Sequence, residues 1–316
     1  MKLGSIVGIA FSCLLIIAGI VLCVMGTNKA EEAGQFLFTQ RSEEGTYYCE
    51  KIAKGTNRVK IQFKNADVTV IGGAEKSQIE FINFNPNLYN VSVTPNILSF
   101  EEMPSLTSIV DIGENGINFK GLRYLLDFDT YNYDDLNKSV VISLADDSDI
   151  KILDISGEKS KVTLKNVKLD GDLSLKIDSG SISVDDFSTT STLEIIGSNL
   201  NSNIKGFSGS TLRCNSTKAV LNITESSAKN TEIDVKNGAV EYMTRDVLSN
   251  GFFNISSKSG SVTVNDDKIT EAIFSSPENY ETSLTVITED ASINISYEVE
   301  TAPDTPSQTP TDTVIQ

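Results

Sequence analysis

Short pairs of apolar residues recur at an almost constant interval over residues 149–296, and this limits the fold more than any other feature. One series runs Val162/Leu164, Ile182/Val184, Ile204, Leu221/Ile223, Val240/Tyr242 and Val262/Val264. The other runs Leu173/Leu175, Leu193/Ile195, Leu212/Cys214, Ile233/Val235 and Phe253/Ile255, with steps of 20, 19, 21 and 20 residues. Alternation within each pair is the period of a strand buried on one face. Turn-prone "DSG", "IGSN", "NSTK", "KNG" and "KSG" separate the pairs. Two strands per 20-residue unit, without a helical period, predict an all-β parallel β-solenoid. Each coil would stack its inward side chains on the next, about 4.8 Å away. A sandwich of antiparallel hairpins would match the strand count but does not require a constant step.

The stretch "DSGSISVDDF" (178–187) shows the unit in small. It returns as "KSGSVTVNDD" (258–267) and more loosely as "KNGAVEYMTRD" (236–246). Gly180, Gly238 and Gly260 precede the rungs, where a chain turning a corner favours positive φ. Ile182 and Val184 face inward, Ser181 and Ser183 outward, and Asp185 and Asp186 close the exposed end.

Outside the repeat, Ile6–Met25 runs 20 residues without a charge, enough for a helix of roughly 30 Å, the thickness of a bilayer core. With Lys2 before it and "TNKAEEAGQ" after it, the expectation is a single-pass anchor over 1–26, with the N-terminus cytoplasmic and the bulk of the chain outside. The competing reading is a cleavable signal peptide, with Val24 and Gly26 at a small-residue cleavage site. Residues 27–45 read as a linker and 46–148 as an irregular β-rich part. Within that part "RVKIQFKNADVTVIGG" (58–73) alternates cleanly, and "FKGLRYLLDF" (119–128) is the one helical candidate beyond the anchor. The Pro/Thr-rich end, 297–316, reads as a disordered tail.

Composition excludes several functions. The 316-residue chain has no histidine and a net charge of −17, so Ser-His-Asp and Cys-His catalysis and His-ligated metals are ruled out. Nothing in it would neutralise a phosphate backbone, which argues against nucleic acid as a partner. Cys13 and Cys23 lie in the apolar segment, while Cys49 and Cys214 lie beyond it. The latter two read as buried or free thiols; a single disulfide is the alternative.

No catalytic, cofactor-binding or metal-binding residue is assigned. Asp185–Asp186 and Asp266–Asp267 could together form the acid pair of a polysaccharide-active enzyme. Four coils between them would place them about 19 Å apart, beyond the separations that glycosidase carboxylates use. "DFDTYNYDDLN" (127–137) departs from an EF-hand loop, with Tyr131 at the fifth position, Asn132 where glycine is required and Lys138 at the twelfth. Asp170 and Asp172 form an acidic turn, and calcium held loosely between turns is the alternative metal reading. Asn90, Asn137, Asn215, Asn222, Asn254 and Asn294 open Asn-x-Ser/Thr triplets, which a chain rich in these residues contains by chance.

The anchor with "RVKIQFKNADVTVIGG", the lead-in "SVVISLADDSDIKILDIS" and the succession "DSGSISV", "KNGAVEY", "KSGSVTV" resemble a family of bacterial envelope proteins grouped as candidate adhesins with β-strand repeats. Ala145 stands where that family carries proline, and 84–135 has no counterpart. The resemblance implies a β-solenoid-like fold outside a membrane, sometimes encoded beside envelope-stress sensors, and supplies no catalytic or ligand residues. The expected function is a membrane-anchored, non-catalytic surface or adhesion-type module that binds a cell-envelope protein or glycan. An accessory component of envelope-stress sensing is the alternative, and a polysaccharide-active enzyme comes after it.

Overall fold

The structure, a computed structural model, describes residues 40–42, 45–84, 89–102, 111–113, 116–118, 137–244, 251–269, 272–274 and 282–297. The expected anchor, the helical candidate at 119–128 and nearly all of the expected tail lie outside these residues. Among the described residues every regular element is a strand, and no helix is long and apolar enough to cross a membrane.

The chain begins with β1 (Gln40–Ser42), β2 (Gly45–Lys51), β3 (Arg58–Asn65), β4 (Asp67–Ile71) and β5 (Gln78–Ile82). Next come β6 (Tyr89–Val93), β7 (Ile97–Glu102), the hairpin β8 (Asp111–Gly113) and β9 (Gly116–Asn118), and β10 (Ser139–Ser143). The long strands are β11 (Ile152–Leu169), β12 (Asp172–Thr189), β13 (Thr192–Thr224) and β14 (Ser227–Thr244). They are followed by β15 (Gly251–Ser257), β16 (Val262–Val264), β17 (Asp267–Ile269), β18 (Ala272–Phe274) and β19 (Thr282–Tyr297).

Seventeen of these strands form one sheet system that is largely parallel. Leu153 pairs with Leu173 and Leu173 with Leu193, and Leu212 pairs with Thr231. β13 runs through two successive tiers: the Thr211 amide donates to the Ser191 carbonyl at 3.0 Å, and Arg213 lies between Glu194 and Glu232. Counting both, eight tiers stack in the order β3–β4, β11, β12, the two halves of β13, β14, β19 and β15–β16. Seven steps make a stack of about 34 Å.

One spacing holds in every tier: nine residues separate the two inward runs. Val59 leads to Val68, Leu153 to Val162, Leu173 to Ile182, Leu193 to Ser202 and Leu212 to Leu221. Thr231 then leads to Val240, Leu284 to Ile293 and Phe253 to Val262. These positions are buried throughout, and each buried Leu, Ile or Val contributes roughly 1.5–3 kcal/mol relative to exposure. The corner residue Asn166 (φ 50°) recurs as Asp186 (55°), Gly206 (68°) and Glu225 (52°). Beyond it, β11, β12 and β13 carry a third inward run that includes Val167, Phe187 and Phe207.

Two details depart from the expected series. The partner of Leu212 is Thr231, and that of Cys214 is Ile233, so the step expected to be 21 residues is 19. A buried threonine occupies a column position expected to be apolar. In addition, Phe253/Ile255 and Val262/Val264 do not stack on β14. β19 is inserted between them, pairing Ile233 with Val286 and Val240 with Ile293 on one side. On its other side Phe253 meets Leu284 and Val262 meets Ile293. β19 carries the same nine-residue spacing, so it fits the slot although it follows β15–β18 in the chain.

Both ends of the stack are closed by antiparallel strands, which satisfies backbone groups that a bare parallel end would leave open. β6 caps β7, which pairs with β3, and β5 bridges β10 and β2. An aromatic cluster plugs the core at this end: Phe81 stacks on Phe100 at 3.8 Å and Tyr89 on Phe100 at 4.4 Å, with Phe84 edge-on to Tyr89. At the far end β17 and β18 cover β16 and β15. Half-buried Lys138 binds buried Glu102 at 3.3 Å, joining the end of β7 to the residue before β10, and Glu102 also accepts the Lys64 amide at 2.6 Å.

Candidate functional site

Side chains that alternate with the core point outward and fall into register columns. On the face carrying Asp154, Ser174, Glu194, Arg213 and Glu232, most charges are engaged between tiers. Arg58 binds Asp154 at 2.7 Å, Ser174 donates to Glu194 at 3.1 Å, and Arg213 donates to Glu232 at 2.8 Å with Glu194 at 3.9 Å. Glu232, held close by hydrogen bond and charge, pushes the Arg213 guanidinium further up. Each exposed pair contributes about 0–1 kcal/mol, but such pairs between tiers favour in-register stacking over a slipped register. Lys165, Asp185 and Lys205 align in the same alternating way across three tiers.

The expected acid pairs do not converge. Asp185 and Asp186 are exposed, and Asp186 takes the left-handed corner. Asp266 sits in the turn between β16 and β17, and Asp267 pairs with Val264. Insertion of β19 places five tier steps between the two pairs, about 24 Å, one more step than the sequence series implied. The acidic turn is occupied by protein donors. Asp170 accepts from Thr190 at 2.8 Å and Lys151 at 3.1 Å, contacts that hold its carboxyl below the ordinary range in that order of importance. Asp172 accepts from the Ser191 hydroxyl and from the Thr192 amide at 3.2 Å. No group of three or more His, Cys, Asp or Glu is placed to hold a metal among the described residues. Residues 127–136 of the calcium-like segment lie outside the described set.

Cys49 and Cys214 are both free thiols. Cys214 is buried in the column between Ile195 and Ile233, and burial pushes its thiol up to about 12. Of the Asn-x-Ser/Thr asparagines, Asn90, Asn137, Asn215 and Asn294 are exposed, whereas Asn222 and Asn254 are half-buried.

The sequence reading missed a concave feature. At the β3–β4 end, the loops after β2, β4 and β10 enclose a cleft of about 260 Å³. Ser77 organises it, accepting the Ile52 amide through its carbonyl and the Ala145 amide through its hydroxyl, both at 3.0 Å. Asp149 accepts the Gly55 amide at 2.9 Å. Lys51, Lys54 and Lys76 share the rim with Glu75 and Asp147. The cleft can dock a group carrying charge but holds no converging nucleophile and base. Its residues come from three loops without the 20-residue repeat, so only their charge density at strand ends marked them in sequence.

Residues 118–302 match the sequence profile of the Toastrack DUF4097 family. The chain belongs to that family. β3 and β4, which stack directly on β11, lie upstream of the matched segment of this toastrack protein. A crystal structure of a candidate cell adhesion protein from Clostridium sporogenes aligns over 80% of this chain and 99% of its own, at 10% identity and a TM-score of 0.33. A candidate adhesin from Bacteroides fragilis aligns over 82% and 100%, at 12% identity and a TM-score of 0.30. No curated protein matches. The family resemblance read from the rungs holds through the match over residues 118–302.

Proposed function

We propose that this toastrack protein is a membrane-anchored, extracytoplasmic β-solenoid that works as a non-catalytic surface or adhesion-type module. The observation that carries the reading is the stack itself. Eight tiers with one nine-residue spacing spend their apolar side chains on a continuous core and present polar columns outside. Such a body serves as a spacer and a contact surface; catalysis needs converging groups, and the acids sit apart along the axis. The uncharged run Ile6–Met25 supports anchoring. The proposed occupant of the surface is a cell-envelope protein or glycan, and a chain of net charge −17 argues against nucleic acid in that place.

The test is protease shaving of intact cells that express the chain with an epitope after residue 297. Loss of the epitope from the outside, with the protein still in the membrane fraction, is the expected result. An epitope protected until lysis, or a protein released into the soluble fraction, refutes the reading.

A further inference from the structure

We propose that β19 is an exchangeable strand and that the slot between β14 and β15–β16 receives β19 from a second copy of this chain. The observation behind this is the order of the tiers. The two walls of the slot belong to chain segments 227–244 and 251–264, and the strand that fills it comes from 282–297. Neither wall is next to β19 in sequence. The slot is thus a complete binding site whose specificity is written in register. It offers parallel backbone partners on both sides and a floor set by Ile233, Val240, Phe253 and Val262. It demands Leu284 and Val286, then Ile293 and Ile295 nine residues on. The chemistry that meets this demand is another β19. Its contacts would be the same in cis and in trans, so exchange costs nothing in contacts and is governed by effective concentration. Chains folding side by side on a surface would favour it.

The test uses the outward-facing register pair Glu241 and Asn294, both exposed, whose strand spacing of about 4.8 Å suits a disulfide. Full-length chains in mild detergent, with Cys13, Cys23, Cys49 and Cys214 replaced by serine or alanine, carry either Glu241→Cys or Asn294→Cys. They are mixed, unfolded and refolded together under oxidising conditions. The expected result is a covalent dimer formed by the mixed pair, lost on reduction and declining as the mixture is diluted before refolding. A double variant, Glu241→Cys with Asn294→Cys, should form the disulfide, within one chain where β19 stays in cis and between two where it is exchanged; a double variant left reduced overturns the registered position of β19 and the proposal with it. Closure in the double variant with no dimer from the mixed pair overturns exchange. So does an equal yield when Asn294→Cys is mixed with Thr163→Cys, which lies several tiers from the slot.

Discussion

Gly180→Ala tests the closeness of the tiers at their corners. Gly180 has φ +141° and sits in register between Ser160 and Leu200. A Cβ there would overlap the Ser160 carbonyl. Two costs follow. Holding a side chain in that backbone region costs about 1–3 kcal/mol. Relieving the overlap means moving β12 off β11 and weakening one or two ladder hydrogen bonds, each contributing about 0.5–1.5 kcal/mol. The sum is roughly 1.5–6 kcal/mol. Gly73→Ala separates the two costs, because Gly73 has φ +71° with nothing within 4 Å of an added Cβ. That variant meets only the left-handed penalty of about 1–2 kcal/mol. Urea unfolding followed by circular dichroism reads the difference. With a slope near 3 kcal/mol per molar, a loss of 3 kcal/mol lowers the midpoint by about 1 M. The reasoning is refuted if Gly180→Ala shifts the midpoint no more than Gly73→Ala.

Thr231→Val should raise stability by about 1 kcal/mol, because the Thr231 hydroxyl is buried without a partner beside Leu212 and Leu284; the same urea assay reads it, and a loss would mean that the hydroxyl is satisfied. Lys138→Met should cost about 3–5 kcal/mol, since it leaves Glu102 buried against a single amide; a neutral result would show Glu102 reached by water. Cys214 should resist thiol reagents in the folded protein while Cys49 reacts, with labelling followed by mass spectrometry. Because burial raises its folded value above the ordinary 9.0, the unfolded chain ionises first, and the thiol's contribution to stability is lost as pH rises from 9.0 towards 12. Cys214→Ala should flatten that alkaline decline, and an unchanged slope would assign it to other groups.

The sequence made the tiers legible because their signal is local: alternation within a strand and a fixed step between strands. It misplaced two things for physical reasons. Thr231 was passed over because a pattern built on apolar side chains cannot see a threonine whose methyl packs in the core column. β19 was missed as the neighbour of β14 because every tier obeys the same spacing, so the pattern states that tiers are compatible without stating which are adjacent. Adjacency is decided by connection lengths and end caps, which leave no periodic trace. The cleft at the β3–β4 end escaped for the same reason. Its walls are loops brought together by β5 and β10, and Ser77 reveals its role only through the two amides it binds.

The same redundancy bears on where function can reside. An outward side chain in this fold is one member of a column, and the column is set by register with its neighbours. Substituting one outward residue alters one position among eight tiers, whereas a slipped register would move every inward residue of a strand to the solvent face. The core therefore fixes the register strongly, while the outer columns are left open to variation. Interior positions such as Ile155 and Leu175 carry the fold, and under the proposed function columns such as Asp154–Ser174–Glu194–Arg213–Glu232 would form the contact surface. A contact built in this way is spread over several tiers. Single substitutions on one column should then weaken binding in small increments, and loss of a whole tier should abolish it.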